Sequence, residues 1–308
     1  MFDNVGCQGV YTIHSLTDYE AYVASDFGRS GGNKYQHLKL ASSLDESEIG
    51  LLSPCRVKVK AGLSLTADIL SFEGRRGVVL ADYASLNGDS ICIGSEKRFV
   101  RVGEGVSVTA DQLSIPSRQS IELGRSFTAH VADNAGLSSS MESVALGRDT
   151  LINSGALNMS AQTGVVIKDD VWLRALEEMQ ISSESPWHWV LLGHDNNLSA
   201  DRLQLHSAGL LVVGRNRNLT ATATVDLFST GPTLLNMIAV ESGVNISAGT
   251  DLQVNAARRT YIGSQSTIQV TGNLNMDAYK PHPRFRVIAG SATITYGTKS
   301  GVCEPFLP

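Results

Sequence analysis

Three aspartates stand about one repeat apart in this chain, Asp149, Asp170 and Asp195, with Asn216 at the next repeat. Arg148, Asp169, His194 and Arg215 stand directly beside them. Carboxylates stacked one strand spacing apart are expected to raise one another's pKa or to share a cation. A pair at the right separation can also cleave a glycosidic bond. That chemistry would belong to a polysaccharide lyase or glycoside hydrolase, with Asp149, Asp170, Asp195, His194 and Arg215 as its catalytic set. The competing explanation is architectural. Asp and Asn are standard turn residues because their side chains bond nearby backbone and tolerate the left-handed conformation. The chain contains no CxxC, HExxH, P-loop or GxSxG pattern. No metal ligand set and no cofactor is therefore expected, and the turn explanation is preferred over catalysis.

The elements that must position these residues are legible in a repeating phrase. Arg98-Phe99-Val100-Arg101-Val102-Gly103 is followed by Val108-Thr109-Ala110 and then by Leu113-Ser114-Ile115. The opening returns at Ile121 to Gly124, Val144 to Gly147, Val190 to Gly193, Leu211 to Gly214 and Thr260 to Gly263. Two returns lack the glycine and end on Lys168 and Glu241. Phrase starts lie roughly 21 to 27 residues apart, the repeat length of solenoids. Three period-2 segments per phrase predict three short strands per coil, each turning alternate side chains inward. Inward pairs such as Val108/Ala110, Leu198/Ala200, Leu219/Ala221 and Ile246/Ala248 are expected in the second segment. Leu113/Ile115, Leu203/Leu205 and Leu252/Val254 are expected in the third. Helical repeats would need 3.6-period stretches, and none runs through residues 98–278.

The expected fold is thus all-β, a right-handed parallel β-helix with three strands per coil. Residues 1–50 do not share the phrase and are expected to form an N-terminal cap. A short helix begins there after a Ser or Thr cap near Tyr19 to Ala24, and Gly28 to Asn33 is read as a loop. The β-helix is assigned to 51–296, its last coil drawn from Arg284 to Ile288 and Ala292 to Ile294. A C-terminal tail is assigned to 297–308, and Lys280 to Pro283 helps to close that end.

The outward second-strand positions Asn197/Ser199, Asn218/Thr220 and Asn245/Ser247 form a flat polar ladder suited to many weak hydrogen bonds with a glycan. Asn158, Asn197, Asn218 and Asn245 each open a glycosylation acceptor pattern. Stacked asparagines bonded to one another are the preferred account of the last three. The first strands differ in kind. Leu191, Val212 and Tyr261 occupy outward positions, with Trp189, Leu210 and Met237 alongside. A strand apolar on both sides is normally covered on both sides. Its cover would be a sister protomer, another protein, or the chain's own termini.

The chain of 308 residues carries a formal net charge of −5 and 18% charged residues. No basic stripe is available to neutralise phosphates, so nucleic acid is not an expected partner. No apolar run is long enough to span a bilayer, and the first residues lack a signal-peptide pattern. A Cys7–Cys55 bridge would pin the cap to the first coil, Cys303 could anchor the tail, and Cys92 reads as a buried thiol. Bridged cap elements would imply an oxidising, extracellular or envelope location.

Over roughly residues 51–296 the phrase resembles that of right-handed β-helix proteins, at the level of fold. The resemblance implies adhesins and secreted passengers, phage or pilus fibres, polymer-forming scaffolds, or carbohydrate-active enzymes. The expected function is a non-catalytic adhesive or structural surface protein that binds a polysaccharide along its polar face. Its apolar face would meet a protein partner or a second copy. A lyase or glycosidase is the alternative.

Overall fold

The computed structural model describes residues 10–24, 37–231, 236–278, 288–289 and 293–300. Among the described residues strand makes up 64% and helix 3%, and the parallel strands wind into a β-solenoid of about 11 turns. The first segments of successive coils pair into one 13-stranded sheet, from Val10–Ile13 to Ile288–Ala289. The second and third segments form a continuous second surface. Some coils keep these segments apart, as in Leu151–Ser154 and Ala156–Ala161. Others run them together, as in Ser107–Ser117 and Asn197–Ser207, where the register shifts after Ala110 and after Ala200. That shift is the bulge that lets a continuous strand turn the corner.

The inward columns stack as the alternation requires. Leu198 pairs with Leu219, Leu219 with Ile246 and Ile246 with Ile268, and all four are buried. Leu203, Val225, Leu252 and Leu274 do the same on the third face. Each coil thereby templates the next through parallel pairing and a shared core.

At the first corner, between first and second strands, one residue per coil takes a positive φ. Tyr83, Ser126, Asp149, Asp170, Asp195, Asn216 and Gln265 lie between 52° and 59°, and Gly62, Gly105 and Gly243 share the position. The phrase glycine just before this turn has a different cause. A Cβ at Gly124 would lie 2.4 Å from the Gly103 carbonyl oxygen, and one at Gly147 would lie 2.4 Å from that of Gly124. Where the glycine is missing, the following coil supplies a polar inward residue. Asn196 Nδ2 donates to the Lys168 carbonyl at 2.9 Å, and Ser266 Oγ donates to the Glu241 carbonyl at 3.1 Å.

The third corner is closed by buried serines. Ser117, Ser139, Ser183, Ser207 and Ser229 end their strands on the inside. Ser117 Oγ donates to the Arg98 carbonyl at 2.5 Å, Ser229 Oγ to that of Gly209 at 2.5 Å, and Ser207 Oγ accepts the Gly209 N–H at 3.2 Å.

Among the described residues the parallel ladder starts at Val10–Ile13, within the segment assigned to the cap, and His37–Leu40 and Glu48–Ser53 are already coil strands. Between them the helix Leu16–Ala24 starts on Ser15, whose Oγ accepts the Asp18 N–H at 3.1 Å. Two of its tyrosines satisfy the backbone of Glu48–Ser53. Tyr19 Oη donates to the Glu48 carbonyl and accepts from the Gly50 N–H, while Tyr22 Oη does both with Leu52. A strand edge that would otherwise template another chain is thus blunted by side chains. Cys55 is buried and disulfide-bonded. Cys7, Cys303, the Gly28 to Asn33 loop and Lys280 to Pro283 lie outside the described residues. Cys92 is free and half-buried, and burial, with Glu73 nearby, pushes its thiol pKa up.

Candidate functional site

The first-corner aspartates stand one coil apart, each at the positive-φ position of its turn. Asp170 N–H donates to the His194 carbonyl at 3.1 Å, and Asp195 N–H to the Arg215 carbonyl at 3.1 Å. The side chain of Asp149 accepts from Arg125 Nε at 2.7 Å. One residue earlier, Asp169 accepts the His194 N–H at 2.8 Å and bonds Arg148 at 2.7 Å. The His194 amide, and after it the Arg148 guanidinium, hold this carboxyl below its ordinary range against the opposing effect of burial. His194 repeats the motif, its Nδ1 accepting the Arg215 N–H at 3.2 Å. With that nitrogen acting as acceptor, the 4.0 Å approach of Glu241 to the same atom is no ion pair. Among the described residues no group of three His, Cys, Asp or Glu side chains is arranged to hold a metal ion.

On the second face the outward residues form two in-register columns. One runs Ser107, Thr128, Leu151, Trp172, Asn197, Asn218, Asn245. The other runs Thr66, Asn87, Thr109, His130, Asn153, Arg174, Ser199, Thr220, Ser247. Asn245 Nδ2 donates to Asn218 Oδ1 at 3.1 Å, a rung of the expected asparagine ladder. Trp172 interrupts the polar column and is 57% exposed. A large indole left in water on a flat polar face is the feature that the hydroxyl and amide pattern alone did not single out.

The same face deepens toward the N-terminal end into a groove of about 910 Å³. One wall is the column from Thr66 to Arg174, and the other carries Asp45, Glu46, Asp68, Asp89 and Asp111. These acids were missed from sequence because they sit at the second corner, where bulges break the period-2 count. The signal was there: Asp68, Asp89 and Asp111 recur at the coil interval, each just before a third strand.

The first sheet changes character along its length. Its outward column reads Lys39, Lys58, Val79, Arg101 and Glu122, then Ala145, Val166, Leu191, Val212, Ala239 and Tyr261. Arg101 pairs with Glu122 at 2.8 Å. The apolar part spans six strands, about 24 Å at one strand spacing each. Trp189 pairs in register with Leu210, and Met237 with Arg259. Trp189 and Tyr261 are 40% and 43% exposed, and Leu191, Leu210, Val212 and Met237 are half-buried.

Comparison with protein-family models, curated proteins and solved structures gives no match for this chain.

Proposed function

We propose that the protein is a non-catalytic β-solenoid that binds extended glycans along the outward face of its second strands. The observation that carries this reading is Trp172, exposed between Leu151 and Asn197 where an in-register ladder of amides and hydroxyls begins. A rigid indole offers a pyranose ring a stacking surface at little entropic cost. Asn197, Ser199, Asn218, Thr220, Asn245 and Ser247 then supply hydrogen bonds to successive sugars. The ladder keeps these groups on a rigid backbone, so little ordering is lost on binding. Disulfide-bonded Cys55 supports action in an oxidising compartment, at a cell surface or outside it. The apolar half of the first sheet would serve for association, since an exposed apolar stripe flanked by charge is the usual mark of an interaction surface.

The test is a glycan array followed by a reducing-end assay on every hit. Binding without turnover is expected, weakened by Trp172→Ala and by Asn197→Ala/Asn218→Ala. Asp170→Asn should change neither binding nor cleavage. Release of reducing ends that stops in Asp170→Asn would establish the hydrolase instead.

A further inference from the structure

We propose that the apolar half of the first sheet receives a second copy of this chain, lying antiparallel, with Lys168 of each copy paired to the partner's Glu241. This inference rests on the association role given to that sheet above, and it names the partner and the register. It is independent of the glycan reading.

The column just after the outward apolar residues carries the argument. Lys168, Gly193, Gly214 and Glu241 stand in successive coils, each donating its N–H to the coil before. They share one hollow of about 320 Å³ with Val166, Leu191 and Val212. The two glycines leave its middle open. A cation therefore stands at one end and a carboxylate at the other, about 14 Å apart at three strand spacings. Neither charge is well satisfied within the chain. Lys168 is exposed and has no ion-pair partner among the described residues. Glu241 Oε2 is buried without a hydrogen bond, and Arg215 Nε approaches it only to 3.7 Å.

A symmetric dimer needs a surface that complements itself, residue i meeting j while j meets i. A two-fold axis along the strands, midway between the coils of Gly193 and Gly214, reverses the order of the coils. It brings Lys168 to the level of the partner's Glu241, and Glu241 to that of the partner's Lys168. The apolar columns match about the same axis. Leu191 meets Val212 and Trp189 meets Leu210, while the small Ala145 and Gly164 meet the longer Tyr261 and Met237. Sheets packed face to face lie about 10 Å apart, a gap that a lysine and a glutamate span together. Other registers lose the pairing. Moving the axis by half a coil or by one sets Glu241 against a glycine. Parallel rods would bring each coil level with itself, Lys168 with Lys168 and Trp189 with Trp189.

The strands here are four residues long, so the apolar patch measures about 24 by 13 Å. That is small for a specific interface, and a dissociation constant in the micromolar range is expected. At such a contact the two ion pairs fix orientation and exclude the other registers.

The experiment is sedimentation velocity on the whole protein from about 1 to about 300 μM, a range that brackets such a constant. Wild type should dimerise. Lys168→Glu and Glu241→Lys should each weaken dimerisation about tenfold or more, by setting like charges opposite one another. The two variants mixed should form a heterodimer within about threefold of the wild-type affinity, because one copy then carries two acids and the other two lysines at the four facing positions. K168E/E241K in one chain should dimerise equally well, and both rescues require that the substituted chains are folded. A wild type that stays monomeric overturns the inference, as does a dimer that Lys168→Glu leaves unchanged or a mixture no tighter than either variant alone. If such a dimer is lost in Leu191→Lys/Val212→Lys, association through the sheet stands and only this register falls. If it persists there too, the association role of the sheet falls with it.

Discussion

Asp149, Asp170 and Asp195 share a backbone position with Tyr83, Ser126 and Gln265, and with the glycines 62, 105 and 243. A column filled by glycine, tyrosine and glutamine as readily as by aspartate is held for its conformation. Spacing alone could not separate this from a catalytic ladder, since both put one carboxylate per coil at a corner. Asp170→Asn should leave urea stability within about 0.5 kcal/mol. Asp170→Val should cost about 1–2 kcal/mol, because a β-branched residue is strained at positive φ. Equal stability of the two variants would remove the turn explanation. Arg217 occupies the inward position just after this turn, wholly buried, with Nε and both terminal nitrogens unbonded. Burial pushes its pKa down to about 9, against the pull of Asp169, Glu241 and Asp195. Below that pH, folding must bury a cation that the unfolded chain keeps in water. As pH rises past about 9, the folded protein sheds the proton before the unfolded chain does, and the penalty is relieved. Arg217→Met should therefore stabilise the protein at pH 7 by on the order of 1–4 kcal/mol. Its advantage over wild type should narrow in urea titrations repeated at about pH 10.5, and a variant less stable at pH 7 would refute this.

The strands were the legible part of the chain, because burial on one face imposes period 2 and makes most inward strand residues apolar. Leu219 and Ile246 follow this rule, and Thr220 and Ser247 face outward. Leu219→Asp should cost several kcal/mol by burying an unpaired charge, and Thr220→Asp little. Similar losses at the two sites would mean that the register is wrong. Corners were less legible, since there the chain is governed by backbone hydrogen bonds and by how closely coils approach. Ser117, Ser139, Ser183, Ser207 and Ser229 are buried and bond either the turn that follows or the corresponding turn of the preceding coil. The phrase glycine is a clearance residue, a role its recurrence in the sequence does not reveal. Gly124→Ala forces a Cβ to within 2.4 Å of the Gly103 carbonyl oxygen, whereas at Gly136 the nearest atom is 3.9 Å away. Thermal melts should show Gly124→Ala lowered by several degrees and Gly136→Ala nearly unchanged. Equal melts would mean that the coils can spread at that corner at no cost.

Along the whole molecule the faces divide by chemistry while sharing one core, since outward residues in a solenoid are free of the packing that fixes the inward ones. The second face is acidic and grooved over its first coils and flat, neutral and polar beyond Trp172. The first sheet carries Lys39, Lys58, Arg101 and Glu122 over its early coils and is apolar from Ala145 to Tyr261. Flat apolar sheets pack face to face at about 10 Å and interdigitate side chains. Two copies meeting through this stripe would leave the glycan face of each open, so that a dimer would engage a polymer at two places. Two linked sites raise avidity without any new contact. Sedimentation velocity should show wild type associating in a concentration-dependent way, and Leu191→Lys/Val212→Lys monomeric with an unchanged circular dichroism spectrum. On immobilised polysaccharide the double variant should dissociate faster, while its affinity for a short oligomer in solution is unaltered. A wild-type monomer at every concentration would remove the homotypic contact and leave the stripe to a different partner.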